Sequence, residues 1–259
     1  MANVFVVTCL FYILLNTNLN IFGSILIFLI IALCQHYFLN LVHIGSHHLL
    51  SKNKHINSVL GNVASIIGGV TFADFKTTHF LHHRNVSDDK NDPDHWITTS
   101  GNVLTIPFKI FYHDYYFWTR GLWKQNNAWK GYLIDRLMQG LLVLGFYFTG
   151  NIVVWEYFWL LPLLLVGFLN GLFLFYFPHH TTRLERNWRE VQNKLPHQSL
   201  TLLAIDISRI YHEKHHNRIA ENRNYFPILA FMQDKLSSTW NNLTIGPISK
   251  YTDIKVKSA

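Results

Sequence analysis

The sequence is poor in cysteine and, over its first 42 residues, contains no lysine or arginine at all. The two cysteines, Cys9 and Cys34, both lie in long apolar runs and show no Cys-x-x-Cys spacing. This usage argues against a disulfide framework and against a thiolate metal site. Nearly half of the 259 residues are hydrophobic, and 16 are histidines. The length suits one large domain or a membrane domain with a cap.

Long runs without charge indicate a membrane protein. Residues 21–42 carry no formal charge, and as a helix they would be about 33 Å long, which matches a bilayer core of about 30 Å. Three other runs have a similar character, although the first is short for a full span. We therefore predict an all-α membrane protein with about four transmembrane helices in two hairpins, over residues 3–15, 21–42, 132–149 and 152–177.

The basic residues predict how these spans are oriented. Residues 43–131 contain nine of the 22 lysines and arginines, residues 178–259 contain twelve, and Arg136 completes the set. The positive-inside rule then places both polar segments in the cytoplasm. The prediction is a single membrane-bound domain over residues 1–259, in which residues 43–131 and 178–259 form a cytoplasmic helical cap. The net charge of +7 suits anionic lipid headgroups or an acidic partner.

Histidines cluster in the segments assigned to the cytoplasmic side. The pattern His-x-x-His-His occurs twice, as HFLHH at residues 79–83 and as HEKHH at residues 212–216. Two more clusters, HIGSHH at 43–48 and FPHH at 177–180, follow the second and fourth apolar runs. On a helix, spacings of three and four residues place side chains on one face. Four clusters on one side of a membrane predict a shared metal site.

The number of imidazoles favours two metal ions rather than one. Eight to ten imidazoles exceed what one ion can bind, and neutral imidazole suits iron, zinc or copper. His36 lies within the second apolar run, on roughly the same helix face as His43, and is expected to face a substrate channel or to bond within the bundle. The remaining histidines are expected at the surface or beside the ligands; these are His55, His95, His113 and His197.

These motifs resemble the integral-membrane fatty acid desaturase superfamily, which includes acyl desaturases, alkane hydroxylases and carotenoid ketolases. The resemblance rests on His-x-x-x-His at 43–47, on the two His-x-x-His-His boxes, on the Asp-Pro-Asp segment at 92–94, and on YFPH at 176–179. It covers most of the chain. It implies nine iron ligands, namely His43, His47, His79, His82, His83, His179, His212, His215 and His216. Ile44 stands where many members have an acid, a departure that bears on the substrate more than on the metal.

The resemblance implies a membrane-bound di-iron oxidoreductase that uses two ferrous ions and O2 on C–H bonds of a lipid-soluble substrate. Fatty acyl desaturation is the expected reaction, and carotenoid ketolation or hydroxylation, or alkyl-chain hydroxylation, is the alternative. No catalytic residue beyond the metal ligands and no other cofactor site is expected. The expected partners are the membrane and an external electron donor such as ferredoxin or a cytochrome, and no nucleic acid. Candidates to orient the ligands are Asp206, Asp74, Asp92, Asp94, His48 and His180.

Two other classes of protein share part of the pattern. HEKHH also matches His-Glu-x-x-His, in which His212 and His216 would bind zinc and Glu213 would act as the base of a membrane protease. That interpretation leaves the boxes at 43–47 and 79–83 without a role. A histidine-rich metal transporter is a further alternative, but its ligands should lie at membrane depth along a path rather than at one membrane edge.

Overall fold

A computed structural model describes residues 2–17, 19–86, 88–98, 102–109, 112–179, 183–193 and 200–217 of the chain. Every regular element in these ranges is a helix, which confirms the predicted all-α class. Short 3-10 turns occur at Val103–Thr105 and Leu122–Asn127. The helices are α1 Ala2–Asn16, α2 Ile21–Ser46, α3 Lys54–Gly68, α4 Phe72–Arg84, α5 His95–Thr98, α6 Ile106–Lys109, α7 Tyr112–Thr119, α8 Ala128–Phe148, α9 Ile152–His179, α10 Arg183–Gln192 and α11 Leu200–Asn217.

Two of these helices are long and apolar enough to cross a bilayer. They are α2, with 26 residues, and α9, with 28 residues. The pair α3 and α4 has the same character when taken together, but it is bent by 99° at its junction. The apolar helix α1 is shorter and packs Val7 and Phe11 into the core formed with α2. The chain is thus an integral membrane protein with two or three candidate spans among the described residues, and the count of four remains a prediction.

Helix α8 corresponds to the third predicted span, which remains a prediction because this helix is not among the candidate spans. One face of this helix exposes a row of apolar residues, and lipid would cover such a row. On the opposite side, Asp135 is completely buried. The charge near the start of the helix therefore points into the protein rather than toward lipid. The exposed apolar residues of α8 are Leu133, Ile134, Leu137, Met138, Leu141, Leu144, Tyr147 and Phe148.

Helices α3 and α4 form a bent pair next to α2, within the segment that the sequence analysis assigned to the cap. At the start of α3, the Asn57 side chain donates a hydrogen bond to the Gly45 carbonyl near the end of α2. At the end of α3, Gly68 packs against Leu39, further along α2. Helix α4 then returns, because His79 packs against His43 with ring centroids 4.5 Å apart. The start of α3 and the later part of α4 therefore lie at a similar level along α2.

The corner between α3 and α4 depends on a glycine. Gly69 ends α3 with a left-handed backbone, at a φ of 72°. A Cβ atom at this position would lie 2.2 Å from the side chain of Leu163 on α9. Both the conformation and the space therefore require glycine.

Helix α8 supplies the polar groups that hold this corner. The Asp135 carboxylate accepts a hydrogen bond of 2.7 Å from the backbone N–H of Phe72 and one of 3.1 Å from the Ser65 hydroxyl. The Gln139 side chain donates to the Val70 carbonyl at 2.7 Å. Asp135 thus satisfies the first N–H of α4, one of the backbone groups that have no partner within a helix.

We predict that Asp135→Ala lowers the free energy of unfolding by about 1–3 kcal/mol, since it leaves the buried Phe72 N–H without an acceptor. Asp135→Asn keeps an acceptor oxygen and should cost less. Unfolding in mild detergent, followed by circular dichroism, measures both. Leu137→Ala on the exposed face of α8 is the control, and an equal loss in all three variants would contradict the capping role.

Candidate metal centre

Eight of the nine predicted ligand histidines come together from four helices. His43 and His47 lie at the end of α2, and three others lie on α4. His179 ends α9, and two more lie on α11. They form two groups, and within each group the candidate ligand nitrogens all lie within 4.8 Å of one another. The five-histidine cluster contains His43, His47, His79, His83 and His215, and the three-histidine cluster contains His82, His179 and His212.

The five-histidine cluster is a chain of close contacts between ring nitrogens. The Nε2 atom of His79 lies 2.9 Å from that of His47 and 3.0 Å from that of His83. The Nε2 atom of His215 lies 3.1 Å from that of His83 and 3.0 Å from that of His43. Five nitrogens thus make four contacts, and three of them each touch two others.

Hydrogen bonding cannot account for all four contacts. A ring nitrogen has one in-plane position, which holds either a hydrogen or a lone pair, so each Nε2 atom can join only one linear hydrogen bond. At most two of the four contacts can then be hydrogen bonds at one time. The remaining contacts would bring ring nitrogens close together without a hydrogen directed between them, which is unfavourable in a buried site.

A metal ion fits this arrangement, because all five nitrogens could direct lone pairs at one cation. Nitrogens bound at about 2.1 Å and at right angles to each other are about 3.0 Å apart, as these contacts are. Burial also favours the neutral imidazole that metals need. It lowers the pKa of His47 to about 4, with a further contribution from His48. The donor set, all imidazole, suits iron, zinc or copper.

The three-histidine cluster is adjacent and is oriented by carboxylates. His82 lies between the two groups, with its ring centroid 5.5 Å from that of His179 and 5.9 Å from that of His83. Its Nδ1–H donates to Asp92 Oδ1 at 2.8 Å, and Asp94 Oδ2 lies 3.2 Å away. This hydrogen bond leaves the Nε2 lone pair of His82 available to an ion.

A second histidine completes this network from the other side. His113 on α7 lies 2.7 Å from Asp94 Oδ1 through its Nε2–H group. Burial alone would raise the pKa of Asp94, but the charge of His82 and the hydrogen bond from His113 lower it to about 2. Burial alone would lower the pKa of His113, and the hydrogen bond to Asp94 raises it instead. His113 thus holds Asp94 as a carboxylate beside His82.

The other predicted candidates occupy different places. Asp206 accepts a hydrogen bond of 2.6 Å from Arg189, and His48 lies 3.0 Å from the Lys76 ammonium. Asp74 lines the cavity described below. His180, His197 and the side chain of His216 lie outside what the structure describes.

The repeated His-x-x-His-His pattern serves both clusters at once. On α4, His79 and His83 point into the five-histidine cluster, whereas His82 joins the three-histidine cluster. On α11, His215 joins the first and His212 joins the second. The protease interpretation instead pairs His212 with His216, but the structure groups His212 with residues of α4 and α9.

A cavity of about 430 Å³ opens on these histidines and extends between α2, α8 and α9. This volume is typical of a small-molecule site. His36 lines it and hydrogen-bonds to Asn170, so the histidine within α2 both faces the cavity and bonds within the bundle. The apolar lining includes Leu39, Leu142, Val143, Trp155, Trp159, Leu160, Leu163, Leu164 and Leu174.

Comparison with known proteins identifies the family. A family model described as fatty acid desaturase matches residues 21–229, which is 209 of the 259 residues. The chain belongs to the fatty acid desaturase family. This desaturase-family protein is therefore an oxidoreductase of the membrane desaturase or hydroxylase type, which excludes the protease and transporter alternatives. Searches of curated proteins and of solved structures each gave no significant match.

We predict that Asp92→Asn weakens metal binding about 10- to 100-fold. The neutral amide accepts the hydrogen bond from the His82 Nδ1–H more weakly than a carboxylate does. Metal retained against a graded series of chelator concentrations, measured by mass spectrometry of the elements, reports the change. Asp88→Asn is the matched control, since Asp88 lies in the same loop and is exposed, and its side chain accepts hydrogen bonds from Lys90 and Asn91. Equal retention in the two variants would contradict an orienting role for Asp92.

Proposed function

We propose that this protein is a di-iron, O2-dependent oxidoreductase that acts on C–H bonds of a lipid-soluble substrate, most simply by fatty acyl desaturation. The observation that carries the proposal is the pair of adjacent imidazole clusters at one end of a largely apolar cavity. Membership of the fatty acid desaturase family supports both the reaction class and the substrate class.

In this proposal the nine histidines of the sequence motifs hold two iron ions. Eight of them form the two clusters, and the role of His216 rests on its position in the third box. Two ferrous ions bound there would supply electrons to O2, with two more from an external donor, for oxidation of an unactivated C–H bond. The five-histidine cluster and the three-histidine cluster would each hold one ion.

The chain itself contributes geometry and exclusion of water. Asp92 and Asp94 fix the ring of His82, and His113 fixes Asp94. The apolar walls of α2, α8 and α9 would bind an alkyl chain so that one of its carbons lies beside the clusters. His82 and His215 are each only 2% exposed, so water has little access to the ligands.

Hydroxylation or ketolation of a lipid is the second candidate reaction. The observation that favours it is the polar part of the cavity wall, which Thr71, Asp74 and Asp114 line. A substrate that is a simple hydrocarbon has no polar group to bond to these side chains.

We predict that the purified protein carries about two iron ions per chain and that His79→Ala removes both metal and activity. His79 contacts two other ligand nitrogens, so its loss opens the five-histidine cluster. Elemental analysis gives the metal, and lipid and pigment profiling of a host that expresses the protein gives the activity. His55→Ala, at an exposed position on α3, is the control and should retain both. A reproducible single zinc ion per chain would contradict the proposal.

We further propose that the clusters lie on the cytoplasmic side, where electron carriers are available, as the lysine and arginine distribution suggests. Single cysteines at Asp88, Thr149 and Asn193, all exposed, in a variant without Cys9 and Cys34 test this. A membrane-impermeant thiol reagent added to intact cells should label only the cysteine at position 149. Labelling at 88 without 193, or the reverse, would place the second and third boxes on opposite sides.

A further inference from the structure

The start of α4 has a capping sequence that the structure does not use for capping. Thr71-Phe-Ala-Asp74 has the spacing of a capping box, in which the first and fourth side chains bond to backbone N–H groups at the helix start. Thr71 does occupy the N-cap position, but its side chain makes no capping hydrogen bond. Asp135 of α8 separately accepts a hydrogen bond from the N–H of Phe72, the first residue of the helix. The two side chains of the box are therefore not committed to the helix.

Both side chains are buried and line the cavity. Thr71 is 1% exposed and Asp74 is 5% exposed. Within the described structure, no hydrogen-bond partner reaches Thr71 Oγ1. No amide, hydroxyl or cationic donor reaches Asp74 Oδ1, while the Asp74 carboxyl hydrogen-bonds to the carboxyl of Asp114. Buried polar atoms in this condition are unfavourable unless another molecule bonds to them.

The charges around Asp74 restrict the chemistry of that molecule. Asp74 lies beside the carboxyl of Asp114, which forms an ion pair with Arg136, and all three line the cavity. Asp114 pairs with the guanidinium and hydrogen-bonds to Asp74, so this part of the wall presents carboxyl oxygens as hydrogen-bond acceptors. A carboxylate ligand has no hydrogen to donate to Asp74, and a hydrocarbon would satisfy neither Thr71 nor Asp74.

We propose that the cavity binds a lipid bearing a hydroxyl group, which donates a hydrogen bond to Asp74 and accepts one from Thr71. A hydroxyl is the smallest neutral group that does both. A hydroxylated lipid is a substrate class within the proposed function. Which of its carbons reacts depends on that function.

The position of these residues relates the hydroxyl to the metal centre. Asp74 precedes His79 by five residues on α4, which is about 7.5 Å along the helix axis. The ring of Phe75 stacks on that of His79 between them, with centroids 5.4 Å apart. The hydroxyl is therefore bound near the clusters but not on them, and the carbon chain extends past the imidazoles.

Brominated alkyl probes test the inference without turnover, because bromine quenches tryptophan fluorescence and Trp155 and Trp159 line the cavity. The probes are 11-bromoundecan-1-ol, 11-bromoundecylamine, 11-bromoundecanoic acid and 1-bromoundecane, titrated into the full chain in lipid nanodiscs. Quenching that persists in a Trp155→Phe/Trp159→Phe variant is subtracted as binding elsewhere. Iron content is measured on each preparation.

The decisive variant is Thr71→Val, which removes the hydroxyl and keeps the shape. The backbone of Thr71 is extended, with φ of −107° and ψ of 137°, and valine adopts this conformation readily. Thr77→Val is the matched control on the same helix, since Thr77 bonds to the Ala73 carbonyl and is not among the residues that line the cavity. Asp74→Asn keeps an acceptor oxygen and removes the charge. This variant should retain binding of a hydroxyl ligand and lose the charge attraction that an ammonium ligand would depend on.

We expect Thr71→Val to bind the bromoalcohol about three- to tenfold more weakly than wild type, with bromoundecane binding unchanged and with a thermal midpoint at or above that of wild type. Asp74→Asn should still bind the bromoalcohol better than the amine. Equal bromoalcohol binding by Thr71→Val and Thr77→Val, or tighter binding of the amine or the acid by wild type, would overturn the proposal. Iron-loaded protein that fails the probe test refutes only this inference, whereas iron-free protein that passes it refutes the di-iron function.

Discussion

Three imidazoles of the five-histidine cluster each touch two other ring nitrogens, although a ring nitrogen can form only one linear bond in its plane. His79, His83 and His215 are therefore in an arrangement that neutral rings alone do not stabilise. A cation resolves the conflict because every nitrogen can then direct its lone pair to the same point. The rest of the structure brings α2, α4 and α11 to that point and places His179 of α9 in the adjacent three-histidine cluster.

Much of this arrangement could be predicted from the sequence because it depends on local periodicity. The apolar runs predicted the positions of α2 and α9. The spacing in the two His-x-x-His-His boxes predicted that the candidate ligands of each box share one helix. The division of each box between two clusters was not predictable, since it depends on how α4 and α11 are rotated against each other. The orienting role of His113 was equally hidden, because His113 and Asp94 meet only through the packing of α7.

The bent pair α3 and α4 shows the same limit. The sequence analysis assigned its residues to the cytoplasmic cap from the distribution of lysines and arginines, and its return along α2 depends on Gly69 and on side chains supplied by α8. Asp135 looks from the sequence like a charge at the end of a span, yet it caps α4 from outside that helix. It satisfies the Phe72 N–H, while Thr71 makes no capping hydrogen bond and adds a polar group to the cavity wall. One buried carboxylate thus connects the fold, the ligand-bearing helix and the proposed choice of substrate.

X-ray absorption at the iron K edge of the purified protein tests the central claim most directly, because it reports the atoms bound to the metal. Eight clustered imidazoles shared by two ions predict an average of about four imidazoles per iron, with nitrogen at about 2.0–2.2 Å and the outer-shell scattering of imidazole rings. A first shell dominated by sulfur, or one with fewer than two imidazoles per metal, would contradict the account.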